Sequence, residues 1–144
     1  MSRLALPGAV RLLSGGDILE TGQAADAVRR RRFPGGTATF IVDRNINYTN
    51  VCTSMCRFCA FYRRPGSPEA YVLSPDEVAQ KVREAVTLGA TQVMLQGGLH
   101  PDLGLDYYIS ILRAAKRCPV TVHSLSPAEV LHLAGREGME AAEV

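Results

Sequence analysis

The chain carries almost no excess of either charge. Its 16 Lys and Arg stand against 14 Asp and Glu, leaving a formal net charge of +2. Such a balance produces no strong field toward nucleic acid or an anionic membrane, so neither is an expected partner. No apolar run approaches the roughly 20 residues that span a bilayer. The opening stretch, Met1 to Val10, has one arginine and a short apolar patch ending in Pro7-Gly8, too weak for a secretory signal. A cytoplasmic location is therefore expected. Histidine is also scarce, at 3 residues. What remains is ordinary for a globular domain: 144 residues, 47% hydrophobic and 21% charged, enough for one sizeable core.

Only 4 cysteines are present, and Cys52, Cys56 and Cys59 crowd into one stretch, Cys52-Thr53-Ser54-Met55-Cys56-Arg57-Phe58-Cys59. The spacing C-x3-C-x2-C lets one loop fold its thiolates onto a single centre. A disulfide framework does not suit an odd number of thiols without a secretory signal. Buried inert cysteine does not account for three so close together. Two metal readings stay open. Iron–sulfur clusters normally take four thiolates. Three in one loop leave an iron open for a substrate or cofactor, the feature that separates reactive metal sites from structural ones. A Cys3His zinc site would need a histidine, the nearest in sequence being His100. Reduced thiolates suit the cytosol in either case.

Along the chain, residues 1–36 read as a helical leader. Val10, Leu12 and Leu13 precede a break at Ser14-Gly15-Gly16, and Asp17 opens a second helix that ends in Arg29-Arg30-Arg31-Arg32 before Phe33-Pro34-Gly35-Gly36. The arginines suit a solvated helix end, where positive charge meets the dipole; no interleaved aromatics support a nucleic-acid surface. Residues 37–49 are expected to be extended, as two strands hinged near Asp43-Arg44. Arg44, Asn45, Asn47 and Tyr48 either line a pocket or satisfy strand-end hydrogen bonds. Arg63 and Arg64 begin a turn-rich connection and read as solvated loop residues. Ser74-Pro75-Asp76-Glu77 and Ser126-Pro127-Ala128-Glu129 are both capping boxes that start helices. Thr91 to Leu95 reads as a strand covered on both faces, ending at Gly97-Gly98, and Val120 to His123 as a third strand. Tyr107 and Tyr108 read as helix packing and His132 as helix surface. The tail from Gly135 shows no clear stop.

Here the residues reach a family. C-x3-C-x2-C with Phe58 just before the last cysteine resembles the signature of radical S-adenosylmethionine (SAM) enzymes. The resemblance implies that Cys52, Cys56 and Cys59 hold a 4Fe–4S cluster whose remaining iron binds the amine and carboxylate of SAM. It implies that Gly97 and Gly98 bind the amino-acid end of SAM and that Phe58 shields the cluster or contacts adenine. His123 and Ser124 become pocket residues. The family often follows the glycine pair with Glu; this chain has Leu99. The wider stretches, Asp43 to Cys52 and Cys59-Ala60-Phe61-Tyr62-Arg63, resemble the branch that cyclises dehypoxanthine futalosine in menaquinone biosynthesis. Aminofutalosine-forming and tyrosine-using deazaflavin enzymes look similar. The substrate implied is dehypoxanthine futalosine. The electron donor implied is a low-potential protein such as ferredoxin or flavodoxin. A metal-binding or electron-transfer module without SAM chemistry is the rival of a different class.

Strands alternating with helices argue for an α/β fold of parallel βαβ units. The expected fold is the first half of a partial (β/α)6 radical SAM, TIM-like barrel spanning 37–144, after the helical leader. Ligands in such barrels sit at the C-terminal ends of the strands. The cysteine loop, Gly97-Gly98 and His123-Ser124 all follow strands and should share one face. Cys118 precedes a strand, should lie at the opposite end, and reads as a small buried hydrophobe. Three βα units against the family's usual six make a truncated chain the expectation.

Overall fold

A computed structural model describes residues 4–15 and 17–144. They fall into two compact units, Met1–Phe40 and Ile41–Val144. The first unit holds helices α1 (Leu6–Leu13) and α2 (Ile18–Arg32). Asp17 caps α2 by accepting the Leu19 N–H at 2.8 Å, which satisfies one of the amides left over at a helix start. Gly16, part of the expected break, lies outside the described residues. At the other end Asp26 pairs with Arg29 at 2.9 Å and Arg30 at 2.7 Å. The Arg29 hydrogen bond holds the Asp26 carboxyl below its ordinary value. These pairs are exposed and add little stability.

The second unit is a parallel sheet of three strands in the order β1 (Asp43–Thr49), β2 (Gln92–Gly97), β3 (Thr121–Ser124). Helices α3 (Pro75–Thr87) and α4 (Leu105–Ala115) make the two crossovers, and α5 (Pro127–Glu137) follows β3. Parallel neighbours require such crossovers. Both expected capping boxes form: Ser74 with Glu77 at α3, and Ser126 with Glu129 at α5. Ile46, Tyr48, Val78, Val82, Val93, Leu95, Ile111 and Leu133 form the heart of the core.

Three expectations change. Residues 37–42 form no strand; Phe40 is 85% exposed, and only β1 is extended and paired. Strand propensity without a neighbour to complete the ladder does not make a strand. Val42 alone is tied in, accepting the Thr91 N–H at 2.9 Å. Next, β2 is fully buried on one face only: Val93 and Leu95 are buried, Met94 is half-buried and Gln96 is exposed. Finally, the tail does have a stop. Gly138 caps α5 at φ 69°, a left-handed conformation that glycine adopts without a Cβ penalty.

The packing gives a direct test. Ile111→Ala, at a fully buried site on α4, should cost about 2–5 kcal/mol. Leu131→Ala, on the exposed side of α5, should stay within about 0.5 kcal/mol. Urea unfolding of both variants measures the difference; equal costs would mean that the wrong helix faces are packed.

Candidate functional site

All three strands run the same way, so the segments after β1, β2 and β3 leave the same end of the sheet, the C-terminal end of its strands. The cysteine loop is closed at its base. Cys52 N–H donates to the Arg63 carbonyl at 3.0 Å, and Arg63 N–H donates to Asn50 at 2.7 Å. Arg63 is further held by Glu69 at 2.5 Å, so it is a structural clasp and not a free loop charge. Within the loop Cys59 N–H meets the Cys56 carbonyl at 3.1 Å, and Met55 takes a left-handed φ of 47°.

The loop is stapled to the end of β2 through Leu99. Its carbonyl accepts both the Thr53 N–H at 3.0 Å and the Thr53 hydroxyl at 3.1 Å. Its own N–H donates to Cys52 Sγ at 3.3 Å. The glycine pair explains how the two segments come so close. A Cβ on Gly98 would press into the Val51 carbonyl and lie 2.7 Å from the Cys52 Cβ. A Cβ on Gly97 would run into the Tyr48 ring. Both glycines are thus required by packing alone. Their amides are already used: Gly97 N–H donates to Glu129 Oε1 at 3.2 Å and Gly98 N–H to the Thr49 carbonyl at 3.2 Å. The Gly98 carbonyl in turn accepts the His100 N–H at 2.9 Å, so from that residue a ligand can meet only the second lone pair of the oxygen.

Cys52, Cys59, Gly97, Gly98 and Glu129 line a cavity of about 320 Å³, together with Asn45, Asn47 and Thr49 from β1. Asn45 and Asn47 are therefore pocket residues. Arg44 instead pairs with Glu84 at 3.1 Å, and Tyr48 turns into the core. Cys56 and Phe58 do not line the cavity, and Phe58 is 91% exposed. Ser124 lies in a neighbouring hollow of about 260 Å³ with His123, its hydroxyl reaching the Leu95 carbonyl at 3.5 Å. Cys118 packs against the core. His132 is half-buried, not a free surface group, and meets the His100 carbonyl at 3.0 Å.

The residue that sequence reasoning missed is Glu129. It was legible as the third residue of a capping box, but not as a buried cavity wall. It is 3% exposed. Tyr48 O–H donates to its Oε1, and Ser126 N–H to its Oε2 at 2.7 Å. Burial, then the Glu129 hydrogen bond, pushes the Tyr48 phenol far above its ordinary value, so it stays a protonated donor.

All four thiols are free. Among the described residues no three Cys, His, Asp or Glu side chains gather as a ligand set for one metal ion. His100 Nδ1 is already taken by the Asp102 N–H at 3.0 Å. A single zinc ion needs ligands that converge on one point. A 4Fe–4S cluster takes one thiolate per iron, so its ligands stand around a volume. Metal sites are also rarely preformed before the metal binds. Three half-buried thiols on one loop, two of them facing a cavity with a glycine edge, fit a cluster by donor chemistry.

A model of the radical SAM superfamily matches residues 46–140. The chain belongs to the radical SAM superfamily. Membership brings a 4Fe–4S cluster and S-adenosylmethionine, and places the chain among enzymes. Three curated relatives show its neighbourhood. It is 42% identical over 144 residues to cyclic dehypoxanthine futalosine synthase of Halalkalibacterium halodurans, covering 99% of this chain and 39% of that protein. It is 46% identical over 127 residues to 5-amino-6-(D-ribitylamino)uracil--L-tyrosine 4-hydroxyphenyl transferase of Archaeoglobus fulgidus, covering 87% and 36%. It is 49% identical over 121 residues to FO synthase of Streptomyces coelicolor, covering 83% and 14%. The chain therefore spans well under half the length of these relatives. Among the described residues no helix is long and apolar enough to cross a membrane.

The close approach at the glycine pair can be tested. Gly98→Ala should displace Cys52 or the Val51 peptide and cost about 1–3 kcal/mol, as overpacking does. Gly135→Ala, in α5 with no neighbour in reach of its Cβ, should stabilise by about 0.5–1 kcal/mol. Denaturant midpoints of the two variants should move in opposite directions.

Proposed function

We propose that this chain is the cluster-binding and SAM-binding first half of a radical SAM barrel whose enzyme cyclises dehypoxanthine futalosine in menaquinone biosynthesis. The observation that carries the reading is the stapling of the cysteine loop to the glycine pair at the strand ends. Cys52, Cys56 and Cys59 hold the cluster. Gly97 and Gly98 offer carbonyl acceptors to the amino-acid end of SAM, and Asn45 and Asn47 add polar groups to the same cavity. When bound, the cluster and SAM would supply one-electron, radical hydrogen-abstraction chemistry at the substrate. The chain's own contribution is to bind, orient and exclude water. The core under the cavity, with Tyr48, Leu95 and Ile111 buried, keeps water out from the helical side. Phe58, exposed on the cluster loop, and Ser124, in the adjoining hollow, stand where a bound cofactor or the rest of a barrel would meet them. A low-potential protein of the ferredoxin or flavodoxin type supplies the electron, in the cytoplasm.

A second reading is favoured by the similar identities to the tyrosine transferase and FO synthase: a tyrosine-using radical SAM reaction. Product formation by the cluster-loaded protein, offered dehypoxanthine futalosine or tyrosine with the ribitylaminouracil, separates the two.

The cluster assignment has its own test. Anaerobic reconstitution with iron and sulfide should load about four irons per chain. Cys52→Ala, Cys56→Ala and Cys59→Ala should each lose the characteristic absorbance and most of the iron, while Cys118→Ala keeps both. One zinc per chain and no bound iron would leave a structural metal module in place of the enzyme.

A further inference from the structure

The chain contains two Ser-Pro-x-Glu boxes, and only one behaves as a cap alone. At α3, Glu77 is exposed and accepts only from Ser74, through its N–H at 2.7 Å and its hydroxyl at 2.8 Å. At α5, Glu129 makes the same return bond to Ser126 with one oxygen. Its other oxygen reaches Tyr48 on β1 and the Gly97 amide at the end of β2. A cap needs no burial, and burying a carboxylate is costly unless its bonds are made. All of Glu129's polar neighbours are donors, the pattern an ionised carboxylate takes. Among the described residues no Lys, Arg or His pairs with it. Its charge is met by backbone amides, a phenol and the first turn of α5, where a helix favours negative charge.

We propose that Glu129 is the positioning residue of the glycine pair: its carboxylate holds the Gly97 amide from the core side and so fixes where the Gly97-Gly98 backbone stands for SAM. Tyr48 is its partner in this. The phenol fixes the carboxylate from β1, and the Tyr48 ring fills the space that a side chain at position 97 would occupy. Through Leu99 the same backbone bears on Cys52, so the carboxylate sets the spacing between the SAM segment and the cluster loop. The proposal rests on the reading of the pair as a SAM site.

The experiment compares wild type, Glu129→Gln, Tyr48→Phe and Ser74→Ala, each reconstituted anaerobically. Ser74→Ala loses a cap away from the cavity and serves as the stability control. SAM affinity is read from the change SAM causes in the electron paramagnetic resonance spectrum of the reduced cluster. Glu129→Gln, which is neutral and offers one acceptor oxygen and an NH2 where three donors converge, should weaken SAM binding about tenfold, with iron content unchanged. Tyr48→Phe should weaken it about threefold, and Ser74→Ala not at all. Separately, amide exchange at Gly97 in the metal-free chain should rise about tenfold in Glu129→Gln while Leu95 in the same strand keeps its protection. If Glu129→Gln fails to fold, Tyr48→Phe carries both readouts. SAM affinities that merely follow stability across the set, or an unchanged Gly97 exchange rate, overturn the proposal. A wild-type chain that loads iron but shows no response to SAM overturns the reading of the pair as a SAM site. In that case the amide measurement still decides whether Glu129 holds the backbone.

Discussion

Two pieces of backbone meet at Gly98 with no room for a methyl group between them. One leaves β2; the other, Val51-Cys52, leaves β1 for the cysteine loop. That contact makes the loop part of the sheet instead of a free excursion from it. The register of β1 against β2 shifts between Asn47 and Thr49, bringing Thr49 opposite Gly97. From there the Leu99 staple follows without further distortion. A reactive metal centre needs ligands and substrate contacts held in fixed relation, and elements packed on a sheet hold them better than loops alone.

Behind this contact lies a second constraint, electrical instead of steric. Glu129 is buried on the helical side, where an unpaired charge would be costly. It is bonded to β1, to β2 and to its own helix start, so it joins three elements at one point. Tyr48 meets Tyr108 edge-to-face at 5.6 Å and Tyr107 at a tilt at 6.1 Å, which ties the same point to α4. The apolar core and the polar cavity share a wall there.

Much of this could be read from the residues. Helix starts were legible because Ser-Pro-x-Glu is a local signal whose physics involves only one turn. The three strand-to-loop junctions followed from strand-forming composition, from the succession of strands and helices, and from the glycine pair. The cysteine spacing carried the family by itself. Other features depended on partners far along the chain. Thr37 to Val42 has strand composition but no neighbour to pair with. Glu129 looks like any capping glutamate until Tyr48 and Gly97, distant in sequence, are placed beside it. His132 looked like helix surface until the loop after β2 folded back onto α5. Gly138 lay beyond the last apolar repeat, so nothing local marked it as a stop.

The account holds that the cysteine loop and the glycine pair make one centre, with a metal corner that the protein leaves for SAM. The Mössbauer spectrum of chain loaded with isotopically enriched iron tests this most directly. Adding SAM should shift the signal of one iron of the cluster and leave the others as they were. Four irons that all stay unchanged when SAM is added would mean that no corner is open and that the two segments serve separate ends.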